Sequence, residues 1–411
     1  MKYNKALLVL FSHCSSSLIN MSFSIIAISL LSEIQYGYFA WILSLTFFIY
    51  GVFQGAVFIP FTIAIGQNAN RESAYKNLLS IIGSLHFLTS ILLILFFLFT
   101  PPNNYHLYNF LVFFIFLFSF VLKEAKCRLF LNLGKMYIHA VTNSLALMGI
   151  IITSLFLFYS KSNYSALDLI IYLSTLFLIA NIVYIGNPFT KSQKIDHAIV
   201  SRAFGLARHE GPSSLLLALR ANAPILVTPL VFGLTETAAI AETRILSAAP
   251  LLLIPLIGQL FLANLANGHN DLSNLSWLEI LTKLPVLVIF CTAIAYAGSV
   301  FFAIALINDP SVLKTFDVLN RELIMASLLI WWHLYAIVWF CRILVQTLAQ
   351  SLGESKFILK ANFYSTVIGF APCIVYFHYE MVHGILIGLI ASEAILCALI
   401  LKHLVSGHEK F

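Results

Sequence analysis

GPSSLLLALRANAPILVTPLVFG, residues 211–233, is apolar and long enough to cross a bilayer, whose hydrocarbon core takes about 20 residues of helix. It also carries a guanidinium, Arg220, near its middle, and two prolines, Pro224 and Pro229, beyond it. A charge at the centre of a span costs roughly 2.5–3.5 kcal/mol on insertion scales, so such a residue faces protein or a water-filled cavity. On an ideal helix Arg220 shares a face with Leu217, Pro224 and Thr228, whereas Asn222 lies about 200° around. Pro224 clashes with the carbonyl of Arg220, and each proline removes one helical hydrogen bond. A bend or local opening is therefore expected beside the arginine.

The rest of the chain has the same character. Of its 411 residues 60% are hydrophobic and 10% charged, the latter against roughly 25% in a soluble domain. Such a chain cannot cover itself with polar surface, which predicts an all-α polytopic membrane protein. Only helices and closed barrels satisfy the backbone in lipid, and runs of this length are helical. About 12 spans are expected, at 6–31, 38–65, 77–100, 108–131, 137–160, 167–185, 212–233, 240–266, 281–307, 323–351, 357–379 and 383–404. The first run is too long for the core of a signal peptide and continues into further spans. Residues 32–37, 234–239 and 380–382 read as tight outer turns. The fourth span is expected to leave the hydrocarbon near Leu122 and end in a basic turn.

The net charge of +6 does not call for nucleic acid. With the N-terminus inside, the outer loops hold only Lys161, Lys314 and Arg321. The other Lys and Arg outside the spans fall on the inner side, which puts both termini in the cytoplasm. The polar connection 187–210 divides the chain into two six-helix bundles, 1–186 and 212–411, joined by a cytoplasmic connector, 187–211. A weak internal repeat sets GQNAN at 66–70 beside NGHN at 267–270. Six-plus-six repeats place a substrate site at the repeat interface. The six cysteines form no CxxC pair, so neither a disulfide framework nor a metal site is expected.

Polar stripes mark the inward faces of several spans. His13, Ser16, Ser17, Asn20 and Ser24 share a face of the first, and Thr46, Tyr50 and Gln54 one of the second. Arg244, Ser247 and Gln259 lie on roughly one face of the eighth, with Glu242 turned away. Tyr335, Arg342, Gln346 and Gln350 line the tenth. Each stripe either lines a cavity or glues helices together. If Arg220, Arg244 and Arg342 share one lumen, they form a cationic track for an anionic group. Against this, Arg342 snorkels to the inner interface, Arg244 caps the outer one or pairs with Glu236 or Glu242, and Arg220 is structurally paired. Glu393, the one deep carboxylate, is the candidate for coupling to H+ or Na+; the alternative is a structural partner for an arginine or hydroxyl. His86 and His333 read as packing residues, and Trp331 and Trp332 as packing or lipid-facing. No phosphate loop, HExxH or GxSxG occurs, so no catalytic residue is expected, and the chain reads as a carrier rather than an enzyme.

Three segments carry a family resemblance. LSEIQYGYFAWILSLTFFIYGVFQGAVFIP at 31–60 resembles the Tyr-Gly turn and long second helix of polysaccharide flippases, with Glu33-Ile-Gln-Tyr-Gly in place of a more usual Gly-Pro version. RILVQTLAQSLGESKFILK at 342–360 resembles their tenth-to-eleventh helix junction, and 379–404 their twelfth helix after a brief turn with a glycine. In plan the whole chain resembles the multidrug/oligosaccharidyl-lipid/polysaccharide (MOP) exporter superfamily, in particular Wzx-type O-antigen flippases. The resemblance implies a MATE-like fold of two six-helix bundles around a central cavity, working by alternating access. It further implies a bacterial inner-membrane protein that flips undecaprenyl-diphosphate-linked oligosaccharide for lipopolysaccharide O-antigen biosynthesis. The surrounding membrane lipids and the polysaccharide polymerase and chain-length proteins are its expected partners. The substrate-binding candidates are Arg220, Arg244, Arg342, Asn20, His13, Gln54, Gln259 and Gln346. The other readings are a multidrug or small-molecule antiporter of the same superfamily, and a membrane polymerase or ligase, for which a large outer loop is missing.

Overall fold

The computed structural model describes residues 19, 21–60, 107–132, 136–160, 164–183, 197–247, 318–351, 354–378 and 383–408. The expected spans 77–100 and 281–307, most of 240–266 and the paired motifs at 66–70 and 267–270 lie outside them. All regular structure among the described residues is helical. In chain order it comprises α1 (Met21–Leu30), α2 (Glu33–Phe53), α3 (Leu107–Asn132), α4 (Met136–Ser160), α5 (Ala166–Val183), α6 (His197–Val231), α7 (Leu234–Leu246), α8 (Val318–Ser351), α9 (Ser355–His378) and α10 (His383–His408). Five described segments, in α2, α3, α6, α8 and α10, are long and apolar enough to cross a membrane. The chain is an all-α, multi-pass membrane protein. The outward faces of α3 and α4 suit lipid: Leu111, Ile115 and Phe118, then Leu145, Ile152 and Phe156, all stand exposed.

Two compact units emerge, Met1–Leu31 with Thr46–Leu215, and Ser32–Leu45 with Leu216–Phe411. This division differs at two points from the expected bundles 1–186 and 212–411 and connector 187–211. The first half of α2 counts with the second unit. The later boundary falls inside α6, which crosses residue 211 unbroken. The polar segment expected as a connector is therefore helical from His197 onward. A Cβ on Gly211 would lie 3.6 Å from Ala56, and one on Gly55 would run into the Ser214 side chain. Just there α2 widens into a π turn, Gln54–Phe58, a local register change often found at functional places.

Two expected turns shrink. Residues 33–37 and 234–239 are helical, since α2 starts at Glu33 and α7 at Leu234. Gly233 makes the second reversal possible with φ 108°, a left-handed value that glycine adopts without a Cβ penalty. Gly37 of the Tyr-Gly pair has its own reason: a Cβ there would strike the Leu234 carbonyl, so α2 and α7 meet backbone to backbone. No opening interrupts α6 at Pro224 or Pro229, and the helix runs through to Val231. Thr228 donates its hydroxyl to the Pro224 carbonyl.

In the first unit α3 packs on α5, with Phe116, Phe120 and Phe177 in mutual ring contact. Asn181 ties the pair by donating to the Ser119 carbonyl. In the second unit α9 and α10 form the most extensive helix pair, and α8 packs on α10. Gly369 sits hard against Ser392, where any Cβ would meet backbone. Val345, Ala349, Ile358, Ala361, Leu396 and Ile400 form the apolar core of this three-helix group.

Candidate functional site: a buried arginine–glutamate–arginine cluster

Arg220 projects from α6 into the α9–α10 pair and is 0% exposed. Its Nη2 donates to Asn362 Oδ1 at 2.5 Å, and Nη1 to Ser365 Oγ at 2.9 Å and the Ser392 carbonyl at 3.5 Å. Among the described residues its Nε–H has no hydrogen-bond acceptor; Glu393 Oε1 lies 3.8 Å away. Hydrogen bonds from a charged donor contribute about 1.5–3 kcal/mol each, enough together to offset the roughly 2.5–3.5 kcal/mol cost of the buried charge. The puzzle of the central span is thus answered by structural pairing with helices far along the chain. In this structure Arg220 presents no open face to a cargo. Asn222, on the other side of α6, donates to the Ala218 carbonyl instead.

Glu393 carries the cluster onward. Its Oε2 accepts from Arg342 Nε at 2.6 Å. Arg342 Nη1 donates to Gln346 Oε1 at 2.6 Å, one helical turn along α8. Arg342 therefore does not snorkel; its side chain is turned inward and paired, with 8% left exposed. Among the described residues of this cluster two guanidinium groups face one carboxylate, an excess of one positive charge. Glu393 is thus held between the two arginines.

Arg244, in the last turn of α7, lies 5.6 Å over the ring of Trp332. This is a cation–π contact. Trp332 is fully buried and in edge contact with Tyr335, so it packs rather than facing lipid. Tyr335 lies within electrostatic reach of Glu393 and of Arg342, Arg244 and Arg220. The three span arginines thus share one neighbourhood of the second unit. His333 is a packing residue, with Nδ1 against the Leu329 carbonyl at 2.8 Å and Ser247 Oγ at 3.4 Å.

Gln54 belongs to the first unit, at the start of the π turn, and is half-buried. Gln346 joins the cluster. His13, Asn20 and Gln259 lie outside the described residues. The sequence reading missed Asn362, Ser365 and Ser392, the partners of Arg220. The spacing of Asn362 and Ser365 on one helical face, and the polar Ser392-Glu393 pair in an apolar run, was the available signal. It also missed a second buried ion pair. Lys123, expected in a basic turn, is buried within α3, pairs with Glu124 at 3.0 Å and lies 5.3 Å from the Phe177 ring centre. Tyr50 donates to the same carboxylate at 3.2 Å. Among the described residues no cluster of metal-ligating side chains occurs.

No sequence-family model matches the chain, and no curated protein matches it in sequence. Solved structures do. A multidrug resistance MATE family transporter of the MOP superfamily, in an inward-facing conformation, superposes with a TM-score of 0.69 at 12% identity, over 96% of this chain and 95% of the other. An outward-facing MATE family transporter of that superfamily gives 0.62 at 12% identity, over 99% and 95%. A MOP superfamily transporter from Pyrococcus furiosus, described by a binding pocket of reversed polarity that suggests a different function, gives 0.62 at 12% identity, over 97% and 93%. At this identity the likeness establishes the fold: the chain has the MATE-like fold of the MOP superfamily.

Proposed function

We propose that this chain is an exporter of the MOP type that works by alternating access and carries an anionic cargo, the lipid-linked oligosaccharide of a surface polysaccharide. The observation that carries the reading is the charge inside the second unit, where Arg220 and Arg342 share the single carboxylate of Glu393 and Arg244 stands near the same Tyr335. A low-dielectric interior with excess positive charge favours a diphosphate over a cationic drug. The neighbour with a reversed-polarity pocket supports the view that pocket charge varies on this fold. On this reading the protein sits in the bacterial inner membrane with both termini cytoplasmic, beside the polymerase and chain-length proteins that receive its cargo.

A second reading has its own support: the fold neighbours include multidrug resistance MATE transporters, which favours a small-molecule exporter. One strain decides between them. Deleting the gene should raise undecaprenyl-diphosphate-linked oligosaccharide on the inner leaflet and remove surface glycan, with full restoration by the plasmid-borne chain. Unchanged lipid pools together with lost efflux of cationic dyes would establish the second reading instead.

A further inference from the structure

Glu393 lies between two arginines that treat it differently. Arg342 holds one carboxylate oxygen at 2.6 Å. The Nε–H of Arg220 is fully buried, has no hydrogen-bond acceptor among the described residues, and stands 3.8 Å from the other oxygen. Orphaned buried donors are rare and expensive, and this one has a carboxylate about 1 Å beyond ordinary hydrogen-bond distance. Arg342 differs again: only its Nε and Nη1 have partners among the described residues, and its side chain keeps some exposure.

We propose that Glu393 is a placeholder for the anionic group of the cargo. In this structure it pairs with Arg342. When a phosphate-type anion docks on Arg342, the carboxylate moves to the waiting Nε–H of Arg220, so no buried charge is ever left unpaired. The exchange unties α8 from α10 and tightens α10 onto α6. Arg342 is then the group that touches the cargo, and Arg220 the seat that receives the displaced carboxylate. This rests on the reading of an anionic cargo, and it adds where the anion binds and what it displaces.

The test is anion binding to the full-length protein in lipid nanodiscs, by calorimetry, with inorganic pyrophosphate and a short-chain polyprenyl diphosphate as separate probes. Binding of both marks recognition of the diphosphate itself; binding of the lipid alone marks a site that also needs the chain. Removing the internal competitor in Glu393→Gln should tighten binding roughly tenfold, and removing the waiting donor in Arg220→Lys should weaken it roughly tenfold. Arg342→Ala should abolish it. Loss of the negative charge favours an anion on Arg342 even if the carboxylate never moves, so the weakening in Arg220→Lys marks the exchange; Glu393→Gln binding no tighter than wild type, or Arg220→Lys binding as wild type, overturns the placeholder while leaving the anionic cargo standing. If no probe binds wild type or Glu393→Gln, the anionic cargo falls and the placeholder with it. Should Glu393→Gln not fold, carboxylate-stretch infrared spectra of the wild type and Arg220→Lys replace it. A band that shifts with pyrophosphate only in the wild type supports the exchange; an unmoved band overturns it.

Discussion

At the scale of single residues, the decisive fact is where the donors of one guanidinium go. Arg220 gives them to Asn362, Ser365 and the Ser392 carbonyl, and Glu393 supplies the nearest countercharge. Breaking a buried pair by removing one partner costs about 3–5 kcal/mol, because the remaining charge stays behind. Arg220→Ala should therefore lower the thermal midpoint of the purified protein sharply. Arg220→Lys should lower it less, since an ammonium retains the charge but not the planar fork. A midpoint for Arg220→Ala equal to wild type would show that the cluster carries no stability. The oddity of Arg220 was legible in its own span; its partners were not, since they lie more than a hundred positions downstream and only packing brings them near.

At the scale of elements, glycines set the closest helix approaches. Gly37 lets α2 lie against the start of α7, Gly55 lets it cross α6, and Gly369 lets α9 meet α10 at Ser392. Small residues at such crossings let backbones approach where lipid offers no hydrophobic drive for association. Gly37→Val places branched carbons on the Leu234 backbone, and overpacking of this kind costs about 1–3 kcal/mol. Reduced yield of monodisperse protein after detergent extraction is the expected result; wild-type yield and melting would mean that the approach is not close. The apolar runs announced most of these helices. Their ends were harder to read, because polar residues such as His209 and Glu210 belong to a helix that continues past the hydrophobic stretch. Residues 234–239 look like a turn, but Phe232 and Gly233 make the reversal before them.

At the scale of the molecule, the fold is that of MOP-superfamily transporters, while the direction in which the chain sits in the membrane is a proposal from its Lys and Arg. Single cysteines placed at residues 161 and 408 of a cysteine-free variant give the check. A membrane-impermeant maleimide added to intact cells should label position 161 and not 408. Labelling at 408 alone would invert the topology. Composition and span length already dictate an all-helical, multi-pass class, because they leave no other way to satisfy a backbone in lipid. The sequence also singled out Arg220, Arg342 and Glu393, since a charge within an apolar run is conspicuous without any structure. Which groups those charges meet emerges from packing alone. Whether an arginine faces a cargo or another helix depends on which side chains converge on it, and that convergence is a property of packed helices, not of spacing along any one of them.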